Sequence, residues 1–132
     1  MDKFHVTTHS REEFIDITDE VKAILKRCGI KEGMCTVYVP HTTAAVTINE
    51  NADLSVRKDI LNELNKLVPR DDHYTHMEGN AAAHIKTTLV GSSISVPVFG
   101  GELALGTWQG IYFCEFDGPR RREVFVQITK RE

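Results

Sequence analysis

The sequence is short of cysteine, of basic charge and of long apolar runs, and each shortage argues against a class of protein. Three cysteines occur, Cys28, Cys35 and Cys114; the count is odd and no C-x-x-C pair forms. A disulfide-stapled secreted scaffold or a cysteine-rich zinc module needs more than this. The cysteines therefore read as small buried apolar residues. Lys and Arg total 16 against 19 Asp and Glu, a formal net charge of −3, whereas a general nucleic-acid binder is usually basic. No apolar run approaches the roughly 20 residues that span a bilayer. The opening Met1-Asp2-Lys3-Phe4-His5 lacks a signal-peptide apolar region. A cytoplasmic location is expected, with no nucleic-acid or membrane partner. The phosphate-cradling patterns G-x-G-x-x-G and G-x-x-x-x-G-K-[ST] are missing, as is the metal spacing H-E-x-x-H.

What remains is an ordinary globular balance: 41% hydrophobic and 27% charged residues over 132 positions. A chain of this size buries roughly two-thirds of its unfolded surface, so residues 1–132 are expected to form one domain without metal or disulfide support. Short alternating runs predict strands over 3–9 and 12–17. Thr18 then reads as the N-cap of a helix with Val21, Ile24, Leu25 and Cys28 on one face. Gly29 follows in a position suited to a left-handed helix end. Strands are predicted over 34–39 and 42–48, broken by Pro40; in the second, Ala44, Val46 and Ile48 share one face. Asp53 caps a helix striped by Val56, Ile60, Leu64 and Leu67. Residues 69–79 read as a polar loop, and Asn80 opens a helix to about Val90. The last third is predicted as strands over 93–99, 102–107, 110–116 and 123–129. The fold class is therefore α+β: a mostly antiparallel sheet with three helices packed on it.

Candidate chemistry falls into four groups. His41, His73, His76 and His84 are separated in sequence, but His84 shares a helical face with Ala81, Ile85, Thr88 and Leu89, which is expected to point inward. Imidazole is a common ligand of zinc and similar metals; the alternative is separate histidines, one in the core and two exposed. Glu50, Glu78 and Glu115 offer carboxylates. Glu50 suits a general base, a metal oxygen or a local backbone cap. Glu115 lies in an apolar strand and needs a partner, with Arg120, Arg121 and Arg122 at hand. Gly106-Thr107-Trp108-Gln109-Gly110 places the only tryptophan beside an amide, an arrangement that suits a flat heterocycle or, equally, a packed hairpin corner. The arginine run reads either as a solvated face or as a phosphate ligand.

Four stretches together resemble the YjbQ-type family: His41-Thr42-Thr43-Ala44-Ala45-Val46-Thr47-Ile48-Asn49-Glu50, Glu78-Gly79-Asn80 through His84-Ile85-Lys86, Gly106 through Ile111, and Glu115-Phe116-Asp117-Gly118-Pro119-Arg120. Their order and separations match over nearly the whole chain. The resemblance implies a YjbQ-like α+β domain, a homotrimer and secondary thiamine-phosphate synthase activity, condensing an aminopyrimidine pyrophosphate with a thiazole phosphate. It implies a divalent metal (zinc or magnesium) on His41, His76 and His84, with His41, Glu50 and Glu78 in catalysis. Thr42, Thr43, Asn49, Asn80, Trp108, Gln109 and Arg120 would then contact substrate. The chain departs from some relatives at Ala82, where they carry Asp. Two other readings stay open: a non-catalytic trimer binding a small phosphorylated or metal ligand, and a metal-dependent hydrolase.

Overall fold

The computed structural model, covering Met1–Glu132, has eight strands and three helices. In chain order they are β1 (Asp2–Thr7), β2 (Glu13–Asp16), α1 (Thr18–Cys28), β3 (Gly33–Tyr38), β4 (Ala44–Glu50), α2 (Leu54–Leu67), α3 (Ala81–Val90), β5 (Ser93–Phe99), β6 (Glu102–Leu103), β7 (Gln109–Glu115) and β8 (Arg121–Lys130). The strands form two sheets rather than the single sheet expected, ordered β1-β8-β3-β5-β6 and β2-β7-β4. Every paired strand is antiparallel. The division arises at Phe116–Arg120, where the chain leaves β7 in the small sheet and enters β8 in the large one. No helix is long and apolar enough to cross a membrane.

Strand alternation explains the layering. In the small sheet Ala44, Val46, Ile111 and Phe113 belong to the main apolar cluster, with Val37, Val96, Val98, Val124 and Val126 of the large sheet and Val21, Ile24 and Leu25 of α1. The opposite face carries Phe14, Ala45, Tyr112 and Cys114, packed with Ala83 of α3 and with Ile60, Leu61 and Leu64 of α2. The small sheet is thus covered on both sides, and β7 is buried continuously from Gly110 to Glu115. The result is one compact single-domain body with a shared interior.

Local chemistry sets the helix ends. Asp53 accepts from the Ser55 amide at 2.9 Å and caps α2, an interaction of about 1 kcal/mol. Gly29 ends α1 at φ 69°, with its N–H on the Leu25 carbonyl. Thr18 is not the cap of α1: Asp16 accepts from both the Thr18 amide and its hydroxyl, and that hydroxyl in turn accepts from the Ile111 amide. Cys28 is exposed at the end of α1, whereas Cys35 and Cys114 are buried. Burial pushes the Cys35 thiol up to about 11.

Most of the expected inward face of α3 is outer: of its members only Ala81 is buried, and His84 is half-buried. Ile85, Thr88 and Leu89 are exposed, while Ala81, Ala82, Ala83, Lys86 and Thr87 are buried. Lys86 turns in because Glu12 and Asn65 meet its ammonium, Glu12 at 2.5 Å. Periodicity alone treats a lysine as outward-facing, so a buried lysine with two partners rotates the helix away from the apolar pattern.

A second buried ion pair joins the two sheets. Glu115 ends β7 and Arg122 lies in β8, both almost wholly inaccessible. The Arg122 guanidinium donates to both Glu115 oxygens, Nε to Oε1 at 2.9 Å, and to the Thr43 hydroxyl at 3.0 Å. Thr8 Oγ1 and the Asp117 amide also donate to Glu115, at 2.8 and 3.0 Å. Burial alone would raise the Glu115 pKa, but the bonds from Arg122, Asp117 and Thr8 outweigh it and hold the carboxyl below its ordinary value.

Removing one partner leaves an uncompensated buried charge. Arg122→Ala should therefore lower unfolding free energy by about 3–5 kcal/mol, whereas Arg120→Ala, at a half-exposed pair, should cost under about 1 kcal/mol. Because the folded pKa of Glu115 is depressed, its stabilisation is complete above the unfolded value near about 4.3 and is lost as pH falls through the folded value. Urea titrations across that acid range should show a smaller acid-side loss in Arg122→Ala than in wild type. Equal stability of the two variants would contradict the assignment.

Candidate functional site

Pro40 ends the β3 run and places His41 in the short connection to β4. The His41 ring is half-buried, and its Nε2 accepts the Glu123 backbone N–H from β8 at 3.0 Å. That bond assigns the neutral tautomer: with the Nε2 lone pair engaged, the ring proton sits on Nδ1. Burial first, then the Arg122 charge, lowers the His41 pKa below the usual 6.5, against an opposing pull from Glu115 and Glu123. His41 is accordingly neutral at pH 7.

His84 projects from the second turn of α3, half-buried. It shares a pocket of about 360 Å³ with His41, Thr42, Thr87, Thr88, Gly91 and Ser92, a lining without one hydrophobic side chain. The Thr88 hydroxyl donates to the His84 carbonyl at 2.9 Å. Thr87 is only 7% exposed, yet its hydroxyl oxygen has no hydrogen-bond partner. A buried hydroxyl is normally satisfied; Thr87 Oγ1 is one of three buried side-chain polar atoms without a partner, with Arg57 Nε and Asn80 Oδ1. Imidazole N–H groups and hydroxyls around a small concavity suit a phosphate-sized anion. The larger depression of about 680 Å³, formed by residues 28–32 and 130–132, contains none of the expected site residues.

His76 meets His84 edge-on, with ring centroids 5.2 Å apart. Glu78 lies beyond it, 3.9 Å from His76 Nε2, with both side chains largely exposed. His84 thus connects the pocket it shares with His41 to His76 and Glu78; His73 is exposed in the preceding loop. In a single chain no three His, Cys, Asp or Glu side chains are grouped to hold a metal. His41 Nε2 is moreover taken by the Glu123 amide.

The other expected residues divide in two. Asn49, Glu50, Trp108 and Gln109 line a second pocket with Ile48, of about 270 Å³, at the opposite end of β4. There Trp108 is 62% exposed, Gln109 accepts from the Gly106 amide at 2.8 Å, and Glu50 accepts from the Ala52 amide at 3.2 Å. Thr43, Asn80 and Arg120 are engaged within the scaffold instead. The Thr43 hydroxyl serves Arg122. Asn80 Nδ2 donates to Asp117 at 2.9 Å. Arg120 donates to the Asp117 carbonyl and carboxylate at 2.9 and 3.1 Å. Each is tied to a neighbouring residue of its own chain, although the Asn80 Oδ1 atom has no partner.

Thr87 and Ser92 have no place in the sequence reading, and Thr88 enters it only as a neighbour of His84 on one helical face. Their signal is faint: two adjacent threonines late in a helix, where threonine has modest propensity, three residues before Gly91.

A family model for UPF0047, YjbQ-like proteins matches residues 2–131. The chain belongs to the YjbQ-like family. It is 52% identical over 126 residues to a UPF0047 protein of Methanocaldococcus jannaschii, spanning 96% of this chain and 91% of that one. It is also 52% identical to YugU of Bacillus subtilis, spanning 93% and 94%. A YjbQ/UPF0047 crystal structure from Clostridium acetobutylicum superimposes with a TM-score of 0.96 at 51% identity, covering 98% of this chain and 100% of that one. A Sulfolobus solfataricus structure, described as a YbjQ-like protein of unknown function, gives 0.95 at 37% identity, covering 98% and 96%. Membership of the YjbQ-like family establishes the fold; the relatives' names carry no reaction.

The His41 assignment is directly measurable. Nitrogen-15 NMR of the imidazole should show the Nδ1–H tautomer and a titration below about 6.5, the unperturbed value. An Nε2–H tautomer, or a titration above that value, would remove the Glu123 amide bond as the feature fixing this ring.

Proposed function

We propose that this YjbQ-like protein acts on a small phosphorylated molecule bound in the His41–His84 pocket. The carrying observation is a pocket without a hydrophobic side chain that brings His41 and His84 together with the hydroxyl-bearing Thr42, Thr87, Thr88 and Ser92. The reaction favoured by the family resemblance is thiamine-phosphate synthesis. A thiazole nitrogen attacks the exocyclic methylene carbon of an aminopyrimidine pyrophosphate; the C–N bond forms, the C–O bond breaks and pyrophosphate leaves with the electron pair. His41 Nδ1–H, the Thr87 hydroxyl and His84 would donate to the departing oxygens, where charge develops. Trp108 and Gln109 would hold the heterocycle, with Asn49 and Glu50 beside them. Glu78 would orient His76 and, through it, His84.

The reading carries a homotrimer and a cytoplasmic location as further proposals. It also carries a divalent ion. One chain does not present a three-donor cage, so no step is assigned to a metal. His84 and His76 are the donors it offers, and imidazole favours zinc over magnesium. The remaining donors would come from substrate oxygens or another copy.

A second reading has one observation in its favour. Glu50 sits at the far end of β4, and no carboxylate is among the residues that line the His41–His84 pocket. A trimeric module that binds a phosphorylated ligand without turning it over would need none. Nothing in the geometry favours hydrolysis specifically.

His84→Ala should keep its melting temperature, since the ring is half-exposed, while single-turnover condensation falls about a hundredfold or more, the scale of one lost electrostatic stabiliser. Thr87→Val removes a hydroxyl that has no intramolecular partner. It should leave stability unchanged or higher and weaken substrate binding. Retention of both substrates without product would favour the binding module. Full activity in both variants would remove the pocket from the mechanism. Light scattering showing a monomer across micromolar concentrations would remove the trimer.

A further inference from the structure

The two pockets lie at opposite ends of one rigid strand. Thr42 lines one and Asn49 the other; at the strand rise of 3.2–3.4 Å per residue, they stand roughly 20 Å apart. β4 cannot fold back to shorten that span, because seven consecutive residues pair in register with β7, from Ala44↔Glu115 to Glu50↔Gln109. The span is also filled: Ala44, Ala45 and Val46 are fully buried. Substrates seated at the two ends of one chain therefore cannot bring reacting atoms to the roughly 3–3.5 Å that a bimolecular step needs.

We propose that the working site is built between two copies of the chain, with the Trp108 end of one facing the His41–His84 end of the next. The inference rests on the reading that both pockets serve one reaction. Exposed apolar side chains flank each half. At one end Trp108 is 62% exposed and Leu54 65%, the latter three residues beyond Asn51, whose amide bonds the Trp108 carbonyl. At the other end Leu89 and Ile85, 61% and 38% exposed, lie on α3 beside His84. The pairing joins two different surfaces, so it is a head-to-tail contact, which terminates only by closing into a ring. Each copy then supplies one half of two sites. Phosphate is held by the histidine half and the heterocycle by the tryptophan half, so the ligand class is a phosphorylated heterocycle or a pair of substrates with those two ends.

The lone tryptophan is a built-in reporter. In the wild-type assembly Trp108 fluorescence should resist iodide quenching; in Leu89→Glu, a change at an exposed position, it should become as quenchable as a free indole. Trp108 fully quenchable in assembled wild-type protein would overturn the contact. Subunit mixing tests the shared site. His84→Ala and Trp108→Ala chains, each inactive alone, should regain about a quarter of wild-type turnover when mixed equally, because one interface in four then joins two intact halves. No recovery from verified mixed oligomers would place each site within one chain and overturn the proposal. Wild-type protein that fails to condense the two substrates sinks the proposed reaction, while the quenching result still decides the contact.

Discussion

The Glu115–Arg122 pair is the constraint on which the arrangement of the rest depends. It sits where the chain passes from the small sheet to the large one, and it gathers β1 through Thr8, the β3–β4 connection through Thr43 and the β7–β8 connection through the Asp117 amide. Gly118 belongs to the same knot: a Cβ there would stand 2.4 Å from the Ser10 carbonyl oxygen and 2.8 Å from Thr8 Oγ1. A buried ion pair is weak evidence for stability, because desolvation offsets much of its attraction. Its effect is on placement. Arg122 holds Thr43, two residues from His41, and the next residue, Glu123, donates its amide to the His41 ring. The same guanidinium contributes to the low His41 pKa, so the scaffold and the electrostatics of the pocket share one group.

This changes how the sequence signatures are understood. Glu115 through Arg120 is the most charged of the matching stretches and the natural place to look for a phosphate ligand. Its polar groups face one another instead. Asp117 accepts from both Asn80 and Arg120, linking the start of α3 to the β7–β8 connection. The chemistry sits one step away, on the elements this knot positions: His41 on one side and α3, with His84 and Thr87, on the other. A motif rich in ionisable residues can thus be distinctive without touching a ligand.

Much of the fold was legible. Element order, three helices, antiparallel pairing and the split faces of β4 follow from alternation, from the Asp53 cap and from the glycine after α1. Three features were not. Two sheets instead of one depends on where the chain crosses after Glu115, and local pattern does not encode a crossing. The rotation of α3 depends on Glu12 and Asn65, 74 and 21 positions from Lys86. Cys28 completes the helical stripe of α1 but falls at its last residue and is exposed. The pocket was legible only as far as its histidines, because Thr87 and Ser92 matter through the pocket they line, which spacing does not reveal.

The far end of β4 shows the same separation of scaffold from site. Gly110 has no room for a side chain: a Cβ there would stand 2.4 Å from Asn51 Nδ2. Asn51 bonds the Trp108 carbonyl through its own amide and Asp16 through its side chain, so the glycine lets the α2 approach lie against the β7 entry and fixes the backbone that carries Trp108. The indole itself is left largely uncovered by its own chain. An aromatic ring on a well-tied corner loses little conformational entropy when something packs on it, which is the physical property a contact surface requires. At both ends of β4 the backbone is held by internal bonds while the ligand-facing or partner-facing groups are left open. The seven-pair ladder between β4 and β7 fixes the distance between those ends, so any molecule or subunit that uses both must conform to a spacing the strand itself sets.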